Sequence, residues 1–209
     1  MKLYDFNRAP NPRRVRIFAA EKGVDIELVT VDLGAREQTE NQFKAINPRQ
    51  CVPALELDDG TIITESVAIC RYLDEIKPKP SLFGTSALSK ANVEMWHRRV
   101  EHEGLSAVAD AVRNSIEFFK DRALAGPNSF AQIPELAERG LMRIDNFYQM
   151  LDQRLQHSSF ISGDEYTVAD IAALCALDFA RVVKKRPRED QTALRNWHGK
   201  VSSRPSAKA

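Results

Sequence analysis

Strand-forming runs in this chain are confined to the part before about Leu88, and beyond it they almost vanish. The remainder of the chain carries long amphipathic helical patterns. A chain divided in this way cannot thread one sheet through its whole length. The pattern permits a small mixed α/β unit first and a helical unit after it.

Within the first part, Lys2 to Phe6 is short, partly apolar and bounded by the Asn- and Pro-rich segment Asn7 to Pro12, so it reads as a strand and a loop. Pro12 suits a first helical turn, and Val15, Ile17, Phe18 and Ala19 carry that helix to Lys22, before a Gly23 stop. Ile26 to Val31 alternates as a second strand should. Together these predict a β-α-β unit with parallel strands and a right-handed crossover. A short helical segment around Phe43 to Ile46 ends at Asn47-Pro48. Val52 to Leu57 and Thr61 to Ile63 are apolar runs separated by Asp58-Asp59-Gly60, and Asp-Gly in that setting predicts a hairpin. From Glu65 the positions Val67, Ala68, Cys70, Tyr72, Leu73 and Ile76 recur at helical steps until Lys77-Pro78-Lys79-Pro80 stops them.

Helical patterns then cover Ser89 to Lys120, Pro134 to Gln156, Val168 to Val183 and Gln191 to Ser203. The predicted organisation is an α+β N-terminal domain over residues 1–77, a linker over 78–88 and an all-α C-terminal domain over 89–209.

Bulk properties narrow the function. The 209 residues carry a formal charge of +1, so no global field draws the chain to nucleic acid or an anionic membrane. No run approaches the length of a membrane span, and the charged start Met1-Lys2-Leu3-Tyr4-Asp5 is unlike a signal peptide. Cys51, Cys70 and Cys175 are widely spaced with no C-x-x-C pair, which predicts reduced thiols in a cytoplasmic protein. His97, His102, His157 and His198 form no ligand cluster, so no metal is expected.

Two short segments bear on chemistry. Proline just after a loop and before a strand, as in Val52-Pro53, is a candidate for a cis bond that frees the Val52 N–H and C=O to pair with a peptide. An ordinary edge-strand proline is the simpler reading of the dipeptide alone. Thr64-Glu65-Ser66 opens a helix. A Ser hydroxyl with the free amides there makes a carboxylate receptor, and Glu65 beside it an ammonium receptor. Plain helix capping accounts for the same three residues equally well.

Their order and spacing are more telling. Asn47-Pro48-x-x-x-Val52-Pro53-Ala54-Leu55, then Ile63-Thr64-Glu65-Ser66-x-Ala68-Ile69-x-x-Tyr72-Leu73, resembles the thioredoxin-like domain of cytosolic glutathione transferases. Phe160-Ile161-x-Gly163-Asp164-x-Tyr166-Thr167-Val168-Ala169-Asp170 resembles that family's capping box and staple, and Trp197-His198 with Ser203-Arg204-Pro205 its closing helix. The resemblance spans essentially the whole chain and points to a bacterial, nu-class-like member. It implies the glutathione transferase fold, with glutathione as co-substrate. Val52 would pair with its cysteinyl part beside cis-Pro53, and Glu65 and Ser66 would receive the γ-glutamyl amino and carboxylate groups. Thr167 would cap a helix while Asp170 reaches back to it.

Such an enzyme must hold glutathione as a thiolate, which needs hydrogen-bond donors. Family members often place Ser, Cys or Thr after the first strand. Here the loop Asn7-Arg8-Ala9-Pro10-Asn11-Pro12-Arg13-Arg14 has none, and Ala9 takes the usual hydroxyl position. The resemblance puts Asn11 where nu-class-like bacterial members carry an asparagine near the sulfur, which implies that Asn11 is the catalytic residue, with turn initiation before Pro12 as its structural alternative. Tyr4 is the other hydroxyl nearby. Cys51 stands where relatives carry Lys or Gln for the glycine carboxylate, so Gln50 is assigned there, with Arg14 or Lys44 as substitutes. Cys51 itself is a candidate for a mixed disulfide or a small space-filling thiol.

The expected function is conjugation of glutathione to electrophilic small molecules. Glutathione-dependent disulfide or peroxide reduction and non-catalytic binding of glutathione or a hydrophobic ligand are the alternatives. The electrophile would lie between the domains, near Asn7 and the helix from Trp96 to Leu105. Family resemblance adds a homodimer, with no nucleic-acid or membrane partner.

Overall fold

The computed structural model describes residues 1–209, in two compact units. The first comprises Met1–Pro80 with Leu124–Ser129, and the second Ser81–Ala123 with Phe130–Lys208.

The first unit is built on four strands: β1 (Lys2–Asp5), β2 (Glu27–Thr30), β3 (Ala54–Glu56) and β4 (Ile62–Thr64), in the spatial order β2-β1-β3-β4. β1 and β2 are parallel, as the β-α-β pattern predicts, while β1–β3 and β3–β4 are antiparallel. The helices are α1 (Pro10–Lys22), α2 (Asn41–Ile46) and α3 (Ser66–Ile76). The helix after the first loop therefore starts at Pro10, earlier than Pro12. Proline is tolerated there because first-turn amides have no intrahelical acceptor. It ends at Gly23, whose φ of 58° is the left-handed conformation that stops helices.

Leu3, Val15, Ile17, Phe18, Leu55, Ile69 and Leu73 fill the core of this unit. Two buried cations brace it. Arg16 pairs with Asp5 at the end of β1 and also donates to the Asn7 carbonyl, fixing the loop that leads into α1. Burial pushes the Asp5 carboxyl up, and Arg16 opposes that shift. Lys22 Nζ donates to Asp74 on α3 at 2.6 Å and to the Pro80 carbonyl at 2.5 Å.

The second unit is helical. α4 (Ala87–Arg99), a π-helical turn (Val100–Leu105) and α5 (Ser106–Ser115) run on continuously, and α6 (Pro134–Leu155), α7 (Val168–Ala180) and α8 (Thr192–Ser202) come after them. The predicted helix Ser89 to Lys120 thus begins slightly earlier, at Ala87 behind a Ser86–Ser89 capping box, and stops at Ser115. The π turn is where α6 crosses closely: a Cβ on Gly104 would stand 2.5 Å from the Phe147 ring. Gly140 permits a second close crossing, against the backbone of Ala107 and Ala111. No helix is long and apolar enough to cross a membrane.

The predicted capping box is present. Thr167 Oγ1 accepts from Ala169 N, and the Thr167 N–H donates to Asp170 Oδ2 at 3.0 Å. Asp170 is fully buried and also accepts from Ile161 N and from Trp197 Nε1 on α8, so one carboxylate joins the preceding loop, α7 and α8.

Candidate functional site

The residues singled out in the first part of the chain converge in the first unit, through contacts that sequence spacing does not reveal. The Val52-Pro53 peptide bond is cis. Val52 is buried in a cluster with Val31 and Phe43, against which Tyr4, Phe6 and Ala9 pack. Its amide and carbonyl make no hydrogen bond within the chain, so both remain available to a peptide.

The segment before it is organised by Asn47, itself 3% exposed. Asn47 Oδ1 accepts from Arg49 N at 3.0 Å, and Nδ2 donates to the Cys51 carbonyl at 2.7 Å. One buried side chain thereby sets the path of Arg49 to Cys51, and Gln50 within it takes a left-handed φ of 54°. The Cys51 thiol is half-buried and donates to the Arg49 carbonyl.

Glu65 also has a left-handed backbone, with φ 68°, which is costly for a residue with a Cβ. Neither Glu65 nor Ser66 caps α3 through its side chain. The capping alternative is therefore not what the fold uses. Glu65 is exposed and lies 3.6 Å from the Arg49 guanidinium. Ser66 is buried, and its hydroxyl donates to the Asn11 carbonyl at 3.2 Å. The first-turn amides of α3 stay unpaired at the positive end of the helix dipole, an arrangement that attracts a carboxylate.

Asn11 lies in the first turn of α1, not in a loop. Pro10 and Pro12 have no N–H, and the Arg13 N–H reaches the Ala9 carbonyl at 3.4 Å. Of the main-chain amides at this helix start the Asn11 N–H has no acceptor, and its side-chain Nδ2 makes no bond within the chain either. Its Oδ1 accepts from Arg14 Nη1 at 3.3 Å. Arg14 is thereby engaged with Asn11. Lys44 is exposed on α2.

The Tyr4 hydroxyl is engaged within the chain. It donates to Glu56 at 2.6 Å, and that bond, with burial and the carboxylate's charge, pushes the phenol up to about 12. The ring packs edge-on to Phe43, which places Tyr4 with the core.

Asn11, Ser66, Glu65, Arg49, Gln50 and Cys51 thus form one chain of neighbours in sequence or in contact, ending at Val52. Sequence reasoning missed Arg49 and the organising role of Asn47. The Asn-Pro dipeptide marks a helix end, and nothing local says that its side chain grips a carbonyl four residues on. No group of three or more His, Cys, Asp or Glu side chains is placed to hold a metal ion.

Comparison with known proteins fits this geometry. Residues 1–75 match the family model "Glutathione S-transferase, N-terminal domain", and residues 114–205 match "Glutathione S-transferase, C-terminal domain". The chain is 34% identical to Glutathione S-transferase 2 of Saccharomyces cerevisiae, over all of this chain and 88% of that one. Among solved structures it resembles a glutathione S-transferase domain-containing protein of Marinobacter aquaeolei, with a TM-score of 0.91, 35% identity and 99% of each chain covered. Gtt2 from Saccharomyces cerevisiae matches with a TM-score of 0.91 and 33% identity, over 100% of this chain and 99% of that one.

Proposed function

The chain belongs to the glutathione S-transferase family, and on that premise we propose that it conjugates glutathione to electrophilic small molecules, with Asn11 as donor to the thiolate. Glutathione-dependent enzyme chemistry is common to its relatives, and conjugation is the specific reaction inferred. In this reading Val52 pairs through its main chain with the cysteinyl part of the tripeptide, beside cis-Pro53. Glu65 receives the γ-glutamyl amino group. The free amides of α3 receive the γ-glutamyl carboxylate together with the Ser66 hydroxyl, which exchanges the Asn11 carbonyl for the ligand on binding, and Gln50 meets the glycine end next to the Arg49 guanidinium.

The observation that supports the reading is the start of α1, where Pro10 and Pro12 lack an N–H, Arg13 N–H reaches Ala9, and the Asn11 main-chain N–H and Nδ2 stay unbonded. An amide N–H favours the thiolate over the thiol by hydrogen bonding to the charged form alone. The sulfur gives its proton to water and attacks the electrophilic carbon. The new S–C bond forms as the leaving group departs with its electron pair. A homodimer and a cytoplasmic setting, in which the three cysteines stay free, complete the proposal.

Asn11→Ala tests it. Turnover of a chloronitrobenzene-type acceptor should fall about tenfold, the scale of one hydrogen bond to a charge, with glutathione affinity retained. Unchanged turnover would remove Asn11 from the mechanism.

A second reading, glutathione-dependent disulfide or peroxide reduction, is favoured by the missing hydroxyl: Ala9 packs on the apolar cluster and Tyr4 is committed to Glu56. Turnover of a glutathione mixed disulfide without conjugation would establish it. Tight glutathione binding with neither activity would mark a binding protein.

A further inference from the structure

Arg14 is 6% exposed and lies close to the start of α1. A cation there meets the positive end of the helix dipole, and burial strips it of water. Neither effect favours a mobile side chain, so the guanidinium is held by its contacts.

One of its contacts is with Asn11. Arg14 Nη1 donates to Asn11 Oδ1 at 3.3 Å, three residues back and on the same face of the helix. The carboxamide is planar, so engaging its oxygen also decides where its nitrogen points. Asn11 is exposed, and its Nδ2 makes no bond within the chain. The main chain of Asn11 is held separately, because its carbonyl accepts from Ser66 Oγ.

We propose that Arg14 is a positioning residue: it holds the Asn11 carboxamide with Nδ2 presented to the sulfur of glutathione and does not touch the sulfur itself. The inference rests on the reading of Asn11 given above. An asparagine amide turns about a broad, two-fold torsion. Without a cation on Oδ1, the oxygen would face the thiolate for much of the time and repel it. With the cation in place one orientation is enforced, and the amide is polarised so that its N–H donates more strongly.

The test compares Arg14→Met, Asn11→Ala and the double variant with the unaltered protein, following the ultraviolet absorbance of enzyme-bound glutathione thiolate against pH. Arg14→Met should raise the midpoint by about one unit, which is about tenfold less thiolate at a pH below both midpoints, where glutathione affinity should stay unchanged. Asn11→Ala should raise it at least as far, and the double variant no further than Asn11→Ala alone. If Asn11→Ala moves the midpoint and Arg14→Met does not, the positioning role is overturned and the role of Asn11 stands. If neither moves it, the reading of Asn11 itself has failed. Shifts that add would mean Arg14 acts on the sulfur directly, which also overturns the proposal. Should Arg14→Met not fold, Arg14→Leu, which has no donor for Asn11, carries the same comparison with the same expected rise.

Discussion

The Ser66 hydroxyl donates to the main-chain carbonyl of Asn11 at 3.2 Å, joining the first turns of α3 and α1 across 55 residues of sequence. In the proposed site these two residues serve opposite ends of one ligand, Ser66 the γ-glutamyl carboxylate and Asn11 the sulfur.

Ser66→Ala removes the hydroxyl and leaves the α3 amides intact. Glutathione affinity should fall about tenfold, the scale of one hydrogen bond to a charged group, and folding stability by about 1 kcal/mol. Calorimetric titration measures the first and urea unfolding the second. Unchanged affinity would take Ser66 out of the binding site.

Tyr4→Phe deletes the bond to Glu56. It should cost about 1 kcal/mol of stability and leave turnover unaltered, because the phenol is spoken for by a carboxylate. A fall in turnover with glutathione affinity preserved would return Tyr4 to the list of thiol donors.

Burial raises the Asp170 carboxyl to about 6 from 3.8, against four hydrogen bonds that lower it. The folded state therefore binds the proton more tightly than the unfolded chain. Below about pH 4 both states are protonated and this group's stabilising contribution is fully present. As pH rises from about 4 to about 6 that contribution is lost, by about 3 kcal/mol across the window. Urea unfolding of the protein and of Asp170→Asn between pH 4 and 7 isolates the effect. The stability difference should shift against the carboxylate as pH rises, and a flat difference would contradict the raised value.

Two glycines in the helical unit should respond oppositely to alanine. At Gly140 a Cβ would stand 2.7 Å from Ala111 N and 2.8 Å from Ala107 O, both backbone atoms, so α5 and α6 must part. That costs about 2–3 kcal/mol. At Gly199, inside α8, nothing lies within 4 Å, and Gly199→Ala should gain up to about 1 kcal/mol of helix propensity. Thermal unfolding of the two variants distinguishes them; equal midpoints would contradict the close crossing.

The amino-acid sequence by itself determined the division into a mixed and a helical part, the parallel pairing of the first two strands, the hairpin at Asp58-Asp59-Gly60 and the Thr167–Asp170 box. The hairpin and the box arise from residues within a few positions of one another, and the parallel pairing from the β-α-β order of elements that local periodicity marks. The sequence placed Glu65-Ser66 at the start of α3, and began a strand at Val52 where β3 starts only at Ala54, leaving a structural explanation open for each pair. Only the tertiary structure decided how their polar groups are spent. Ser66 turns away from capping α3 to reach Asn11, and Tyr4 on β1 is bound to Glu56 on β3. A hydroxyl, amide or guanidinium bonds whatever lies within about 3 Å of it, and which atoms those are depends on how distant segments pack. The donor left free for the thiol is what remains after those bonds are made.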